Sequence, residues 1–322
     1  MLMDFYIILN RFIEDYNFNL LNFIFLSFTI VIVSFGSLVN LVEPRLPNFL
    51  RQSYRYGKHS HKGPTNYLVN CTEMPKSWFK HFYAFALPWS VLALLLMVHG
   101  SVTKAEAPEF VLRFLDFMAG GRANRTMQVD FTCALVATVL MTMQCGRRFY
   151  ETHFIQIFAK NSKINLSHYL VGYMHYFCAI LALLSNSQGF VRGTKPSALS
   201  LSYITLLQSI CILIFLNSCL QQYKSNIILI NLRKDAKTGA VKTEQHLLPS
   251  GGFFDLISSP HMFFEIKMYI ALLALLPSTT WFFVTVWVFC NQLMNALLTH
   301  KWYKENFKNY PKNRRALIPF IL

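Results

Sequence analysis

The chain has 322 residues, 54% of them hydrophobic and only 14% charged, and a formal net charge of +15. That balance excludes a soluble globular enzyme and a disordered chain, and it places the protein among multi-pass membrane proteins. The longest non-apolar stretches, 43–80, 101–128 and 224–261, are each too short to bury a soluble core of their own. The whole of 1–322 is therefore read as one all-α membrane domain.

Seven apolar segments are predicted to cross the bilayer: 20–41, 82–98, 129–145, 169–184, 201–220, 263–276 and 278–298. A crossing needs about 20 apolar helical residues, so the third, fourth and sixth are short. Pro277 separates the last two, because proline cannot continue a helical hydrogen-bond ladder. Acidic residues precede the first segment and no small-residue cleavage site follows it, so it is read as a permanent helix.

Positive charge gathers after alternate segments. Arg45, Arg51, Arg55, Lys58, Lys62 and Lys76 follow the first, Arg147, Arg148, Lys160 and Lys163 the third, and Lys224, Arg233, Lys234, Lys237 and Lys242 the fifth. Lys301, Lys304, Lys308, Lys312, Arg314 and Arg315 follow the seventh. Basic loops stay cytosolic, which predicts a lumenal N-terminus and a cytosolic C-terminus. The sequon Asn124-Arg125-Thr126 then falls in a lumenal loop where glycosylation is possible, while those at Asn70 and Asn165 fall on the silent side. The seven cysteines contain no CxxC pair and mostly sit in apolar segments, as buried small hydrophobes rather than a disulfide framework or zinc site.

Ionisable and polar residues at the membrane edge are the candidates for chemistry, because each is unfavourable there unless paired or facing a polar cavity. Gln144, Arg147, Arg148, Tyr150 and Glu151 cluster at the end of the third segment. Arg147 and Glu151 are i,i+4 partners, which suits a structural ion pair or a polar wall of an active site. His261 and Glu265 share a helix face at the start of the sixth segment, as a ligand grip or a self-satisfied helix end. His168 and His175 lie among tyrosines with no third metal ligand in view, so no metal is expected. Gly251 and Gly252 allow either a close backbone approach to a ligand or an ordinary turn.

Residues 299–322 are the densest case. His300 and Tyr303 are i,i+3, Asn295 and Thr299 extend the same neighbourhood into the membrane, and Arg314 and Arg315 offer forked donors to phosphate. A positive-inside anchor would explain the lysines but not the His/Tyr/Tyr-Pro pattern. No GxGxxG or P-loop occurs. The basic residues are spread among membrane-flanking loops, so no nucleic-acid partner is expected.

The pattern His300-x-Trp302-Tyr303-x-x-x-Phe307-x-x-Tyr310-Pro311-x-x-Arg314-x-Ala316-Leu317-Ile318-Pro319-Phe320 resembles the C-terminal signature of the steroid 5-alpha-reductase family. Leu232-Arg233-Lys234, Pro249-x-Gly251-Gly252-x-Phe254 and Glu265 resemble the same family's cofactor half. Arg55-Tyr56-Gly57-Lys58 and Met74-Pro75-Lys76-x-x-Phe79-x-His81-Phe82-Tyr83 resemble its polyprenal-reducing branch.

The resemblance implies a seven-helix enzyme of the endoplasmic reticulum, with 1–128 as N-terminal spans and basic loop and 129–322 as the catalytic region. NADPH would occupy a cytosol-facing cavity, contacted by Asn226, Arg233, Gly251, Gly252, His261, Glu265, Asn295, Tyr303 and Arg314. His300 would be needed for activity. Steroid-acting relatives carry a tyrosine near Gln144 and a glutamate near Arg55 and Tyr56 to polarise a steroid ketone; both are absent here, and Tyr150 and Glu151 are the substitutes. The implied substrate is a long-chain polyisoprenoid aldehyde lying among membrane lipids and reduced at its α,β double bond to dolichal, by an enzyme acting as a monomer. The competing readings are a 3-oxo-steroid 5-alpha-reductase or sterol reductase, and an S-adenosylmethionine-dependent isoprenylcysteine methyltransferase of related architecture.

Overall fold

The computed structural model describes residues 2–55, 59, 63–64 and 66–322, with side chains from Ile7 onward. Tyr56, Gly57 and Lys58 of the branch motif lie outside the described residues. Helices hold 67% of the chain, which makes it an all-α membrane protein.

A helix absent from the sequence reading opens the fold: α1, Leu2–Asp15. Asn17 then takes a left-handed turn, and the Asn19 side chain accepts the Asn22 N–H at 2.9 Å to start α2, Leu20–Val42. Short helices α3 (Asn48–Tyr54) and α4 (Tyr67–Cys71) carry the basic loop to strand β1, Glu73–Pro75. The bundle continues through α5 (Lys80–Thr103), α6 (Glu109–Met118) and α7 (Phe131–Tyr150), which ends in a π-helical turn at Glu151–Ile155. Strand β2, Lys163–Asn165, pairs antiparallel with β1 and leads directly into α8, Leu166–Ser185. Last come α9 (Leu206–Asn231), α10 (Pro260–Leu275) and α11 (Thr279–Asn306).

Among the described residues five helices are long and apolar enough to cross a membrane: α2, α5 with the turn before it, α8, α9 and α11. The other two predicted spans correspond to α7 and α10. Helix α10 has 16 residues, which at 1.5 Å each span about 24 Å, short of a hydrocarbon core of about 30 Å. Helix α7 is hemmed in by α5, α8 and α10, and a helix facing protein rather than lipid has no need of a uniformly apolar surface.

Two boundaries move in ways that matter. The fifth segment was predicted to stop at 220, yet α9 runs to Asn231, so Gln222 and Asn226 are helical rather than loop residues. The seventh was predicted to stop at 298, yet α11 runs to Asn306, so His300 and Tyr303 sit on its last turns and not in a tail. Polar residues end an apolar run without ending a helix, because the backbone ladder continues wherever the side chains find partners.

Helix α11 packs on α2, α10 on α9, and α5 on α7 and α8. Gly36 lets α2 approach α11 closely: a Cβ there would meet Met294 at 2.7 Å. The core holds Phe25, Met97, Phe131, Phe215 and Trp281, all buried. At the far end of the bundle, Arg125 donates to the carbonyls of Ser185 and Phe190 and pairs with Asp116 at 2.5 Å.

Candidate active site

Helices α2, α3, α5, α8, α9, α10 and α11, with the loops that follow α3 and α7, enclose a cavity of about 860 Å³. Its two ends differ in chemistry. Phe28, Val31, Ile32 and Phe35 of α2, Val171 of α8 and Trp287 of α11 make one end apolar. Gln222, Asn226 and Arg233, then His261 and Glu265, and Asn291, Asn295 and Tyr303 make the other polar.

Part of the polar lining belongs to a connected network that continues behind the cavity wall to Gln144 and Arg147. Glu151 is 1% exposed, and its two carboxylate oxygens face Arg147 and Arg148 separately. Asn226 Nδ2 donates to Glu151 at 2.8 Å, bringing α9 against the end of α7. Arg147 donates to Gln144 at 2.8 Å and to Gln222, and Gln144 donates to Gln222 at 2.9 Å. Gln222 donates in turn to the His261 carbonyl at 3.0 Å and to the Glu265 carboxylate. Arg148 Nε donates to the Tyr83 phenol at 3.1 Å, with the guanidinium also over the Tyr83 ring at 5.0 Å. Burying this many polar groups is tolerable only because each has a partner.

Both ring nitrogens of His175 are engaged at the apolar side. Trp287 Nε1–H donates to Nδ1 at 3.1 Å, and Nε2 faces the Tyr269 hydroxyl at 2.9 Å. Since an indole N–H only donates, Nδ1 is the acceptor and Nε2 carries the proton. Arg233 donates to the Ile157 carbonyl at 2.9 Å and to His246 at 2.8 Å. Burial lowers its pKa, with Glu244 and Tyr303 acting in the opposite sense, and the guanidinium stays charged.

Of the twelve residues given a catalytic or cofactor role from sequence, Glu151, Asn226, Arg233, His261, Glu265, Asn295 and Tyr303 all line this cavity. Five do not. Tyr150 is 53% exposed and packs against Phe154, because one residue along a helix turns the side chain away from the face that Glu151 buries. His300 faces Ser258 at 2.7 Å and Tyr310 at 2.9 Å rather than the cavity. Arg314 is buried behind it, over the Tyr310 ring at 5.4 Å and donating to the Pro249 carbonyl at 3.0 Å. Gly251 and Gly252 both have positive φ, and the Gly251 N–H donates to Asp255 at 2.8 Å, which makes them a turn that receives Arg314.

These residues form a second layer. Tyr303 reaches the cavity, Tyr310 stacks on Tyr303 at 6.1 Å, and His300 and Arg314 hold Tyr310 from behind. Burial raises the Tyr310 pKa, so the phenol stays protonated and able to donate. Gln222, Tyr176, Asn291 and Gln292 line the cavity without having been singled out, and Tyr83, named only within the branch motif, lines it too. The available signal was a glutamine four residues before Asn226, on the same face of one helix.

One cavity lined by ionisable and by apolar side chains, inside a helical membrane bundle, is the kind of site that can hold a polar ligand beside an apolar one. The sequence profile of a family described as 3-oxo-5-alpha-steroid 4-dehydrogenase matches residues 174–322. The chain is 56% identical to the polyprenal reductase of Drosophila melanogaster, over 98% of this chain and 97% of that one. It is 31% identical to the polyprenal reductase of Caenorhabditis elegans, over 88% and 90%, and 28% identical to that of Danio rerio, over 95% and 100%. The chain belongs to the steroid 5-alpha-reductase family, and it is an oxidoreductase of the kind that uses a nicotinamide cofactor.

Proposed function

We propose that this enzyme reduces the α,β double bond of polyprenal to give dolichal, with NADPH as the reductant, in dolichol synthesis for protein N-glycosylation. The observation that carries the reading is the continuity of the cavity from amide, carboxylate and guanidinium groups on α9, α10 and α11 to aromatic and aliphatic groups on α2 and α8. The polar end fits the cofactor chemically. Asn226, Asn295, His261, Glu265 and Tyr303 suit ribose hydroxyls and a carboxamide, and Arg233 suits phosphate. Gly251, Gly252, Arg314 and His300 act from the second layer by holding Tyr303 in place.

Bound there, the reduced nicotinamide supplies a hydride for the β-carbon of the unsaturated aldehyde. The rest falls to the protein. The electron pair of the double bond moves toward the aldehyde oxygen, and a phenol at the junction stabilises that charge by donating a hydrogen bond. Tyr83 is suited to this, since it lines the cavity and Arg148 Nε donates to its oxygen, which makes its own O–H a better donor. A proton added at the α-carbon completes the reduction. Glu151 holds Arg147 and Arg148 rather than exchanging a proton with substrate, since both its oxygens are committed to guanidiniums.

The chain is read as a single seven-span unit of the endoplasmic reticulum membrane, acting as a monomer with its cavity facing the cytosol, as the alternating basic loops indicate. Purified protein supplied with polyprenal and NADPH tests the function directly. Dolichal formation is the expected result, with most of the activity lost in Tyr83→Phe. Heat protection by S-adenosylmethionine but not NADPH, or turnover of a 3-oxo-steroid but not polyprenal, refutes it.

A further inference from the structure

The motif Met74-Pro75-Lys76 has no part in the reaction outlined above, yet Lys76 lies in the cavity wall. Its place follows from the backbone. Pro75 pairs with Lys163 at the end of the β1–β2 ribbon, and the Lys76 N–H donates to the Ser162 carbonyl at 2.8 Å. Arg233 grips the other end of the same loop through the Ile157 carbonyl at 2.9 Å. Two cations from distant parts of the chain thus meet over residues 157–162, both half-buried and close enough to repel each other.

Among the described residues neither has an ion-pair partner within 4.0 Å. Of the nearby acids, Glu73 pairs with Lys163 at 2.8 Å and Glu151 with Arg147 and Arg148, while Glu244 accepts the Lys160 N–H at 3.0 Å and acts on Arg233 from beyond ion-pair distance. A lysine that only set membrane topology would have no need to stand in a cavity wall beside an arginine. Paired cations partly out of water and lacking a carboxylate are complementary to phosphate, with a point charge from lysine and a planar fork from arginine.

We infer that Lys76 and Arg233 form the subsite for a phosphate of the dinucleotide, either a phosphomonoester or the pyrophosphate. The inference rests on the NADPH reading of the cavity and adds to it a residue from the N-terminal half. The test is calorimetric binding of 2′,5′-ADP and of 5′-ADP to the full-length protein in detergent. Lys76→Gln weakens binding roughly ten- to a hundredfold, the scale of one charge-assisted contact. Lys76→Arg keeps most of the affinity, which separates loss of charge from loss of fold, and Lys163→Gln serves as an unaffected control. Weakening confined to 2′,5′-ADP assigns the 2′-phosphate; weakening of 5′-ADP, alone or together with 2′,5′-ADP through their common 5′-phosphate, assigns the pyrophosphate. A folded Lys76→Gln that binds both ligands as the wild type does overturns the subsite and leaves the NADPH reading intact. A wild type that binds neither nucleotide and does not oxidise NADPH with polyprenal overturns both.

Discussion

Glu151 is where a charge change has the largest consequence that follows from geometry alone. It is 1% exposed, with Arg147 on one oxygen and Arg148 on the other. Glu151→Gln preserves shape and removes the charge, leaving two guanidinium side chains, 14% and 12% exposed, without a carboxylate. Deleting one partner of a buried ion pair costs about 3–5 kcal/mol. The lower end applies, because Arg147 keeps Gln144 at 2.8 Å and Arg148 keeps Tyr83 at 3.1 Å. A loss of about 3 kcal/mol lowers the melting temperature by roughly 5–10 °C in a chain of this size. Intrinsic fluorescence reads the transition in detergent, with and without NADPH. Removing one stranded charge as well, in Arg147→Gln/Glu151→Gln, recovers part of the loss. A Glu151→Gln protein that melts within about 1 °C of wild type but cannot reduce polyprenal would refute this reasoning, and would make the carboxylate a participant in the chemistry.

Three further outcomes are expected. His300→Ala removes a partner of Ser258 and Tyr310, loosening the layer behind Tyr303 at a cost of about 1–3 kcal/mol; steady-state kinetics should show KM for NADPH rising more than kcat falls, and a fall in kcat alone with unchanged melting contradicts it. Glu109, at the bundle end away from the cavity, has its pKa lowered to about 2 by hydrogen bonds from Arg192 and Arg113. A folded pKa below the unfolded one means that this contribution is present above about pH 4.5 and is lost as pH falls toward 2; the melting difference between wild type and Glu109→Gln should vanish over that window, and one that persists at pH 2 is inconsistent with it. The Asn124 side-chain nitrogen donates to the carbonyls of Gly120 at 3.0 Å and Glu14 at 3.1 Å, and Arg125 beside it is buried. No glycan is expected there, so glycosidase treatment should leave the electrophoretic mobility unchanged, and a shift abolished by Asn124→Gln would overturn the assignment.

Much of the site could be read before any coordinates, because membrane-edge polar residues are few and each needs a partner. His261, Glu265, Asn295 and Tyr303 follow from that reasoning and Asn226 and Arg233 from the family resemblance, and all six line one cavity. Tyr150 and His300 were not separable from them by the same logic. A sequence position says that a residue lies near the headgroups, while its direction depends on helix phase and on its partners: one residue places Glu151 inward and Tyr150 outward, and Ser258 and Tyr310 engage His300 where Tyr303 reaches the cavity. Gln222 was hidden for another reason, since an apolar window ends at the first polar cluster whereas α9 continues to Asn231.

The membrane class, the approximate positions of the apolar helices and the tail motif that marks the family are legible in the residues alone, because composition and local spacing record what each segment must do on its own. Only the tertiary structure decided that Tyr83, Gln144, Glu151, Gln222 and Glu265, from α5, α7, the turn after it, α9 and α10, form one hydrogen-bonded network. It likewise decided that His300 and Arg314 stand behind Tyr303. Those contacts join residues dozens of positions apart, and no local periodicity carries them. They follow from how the helices pack, which buries polar side chains only where partners on other helices satisfy them.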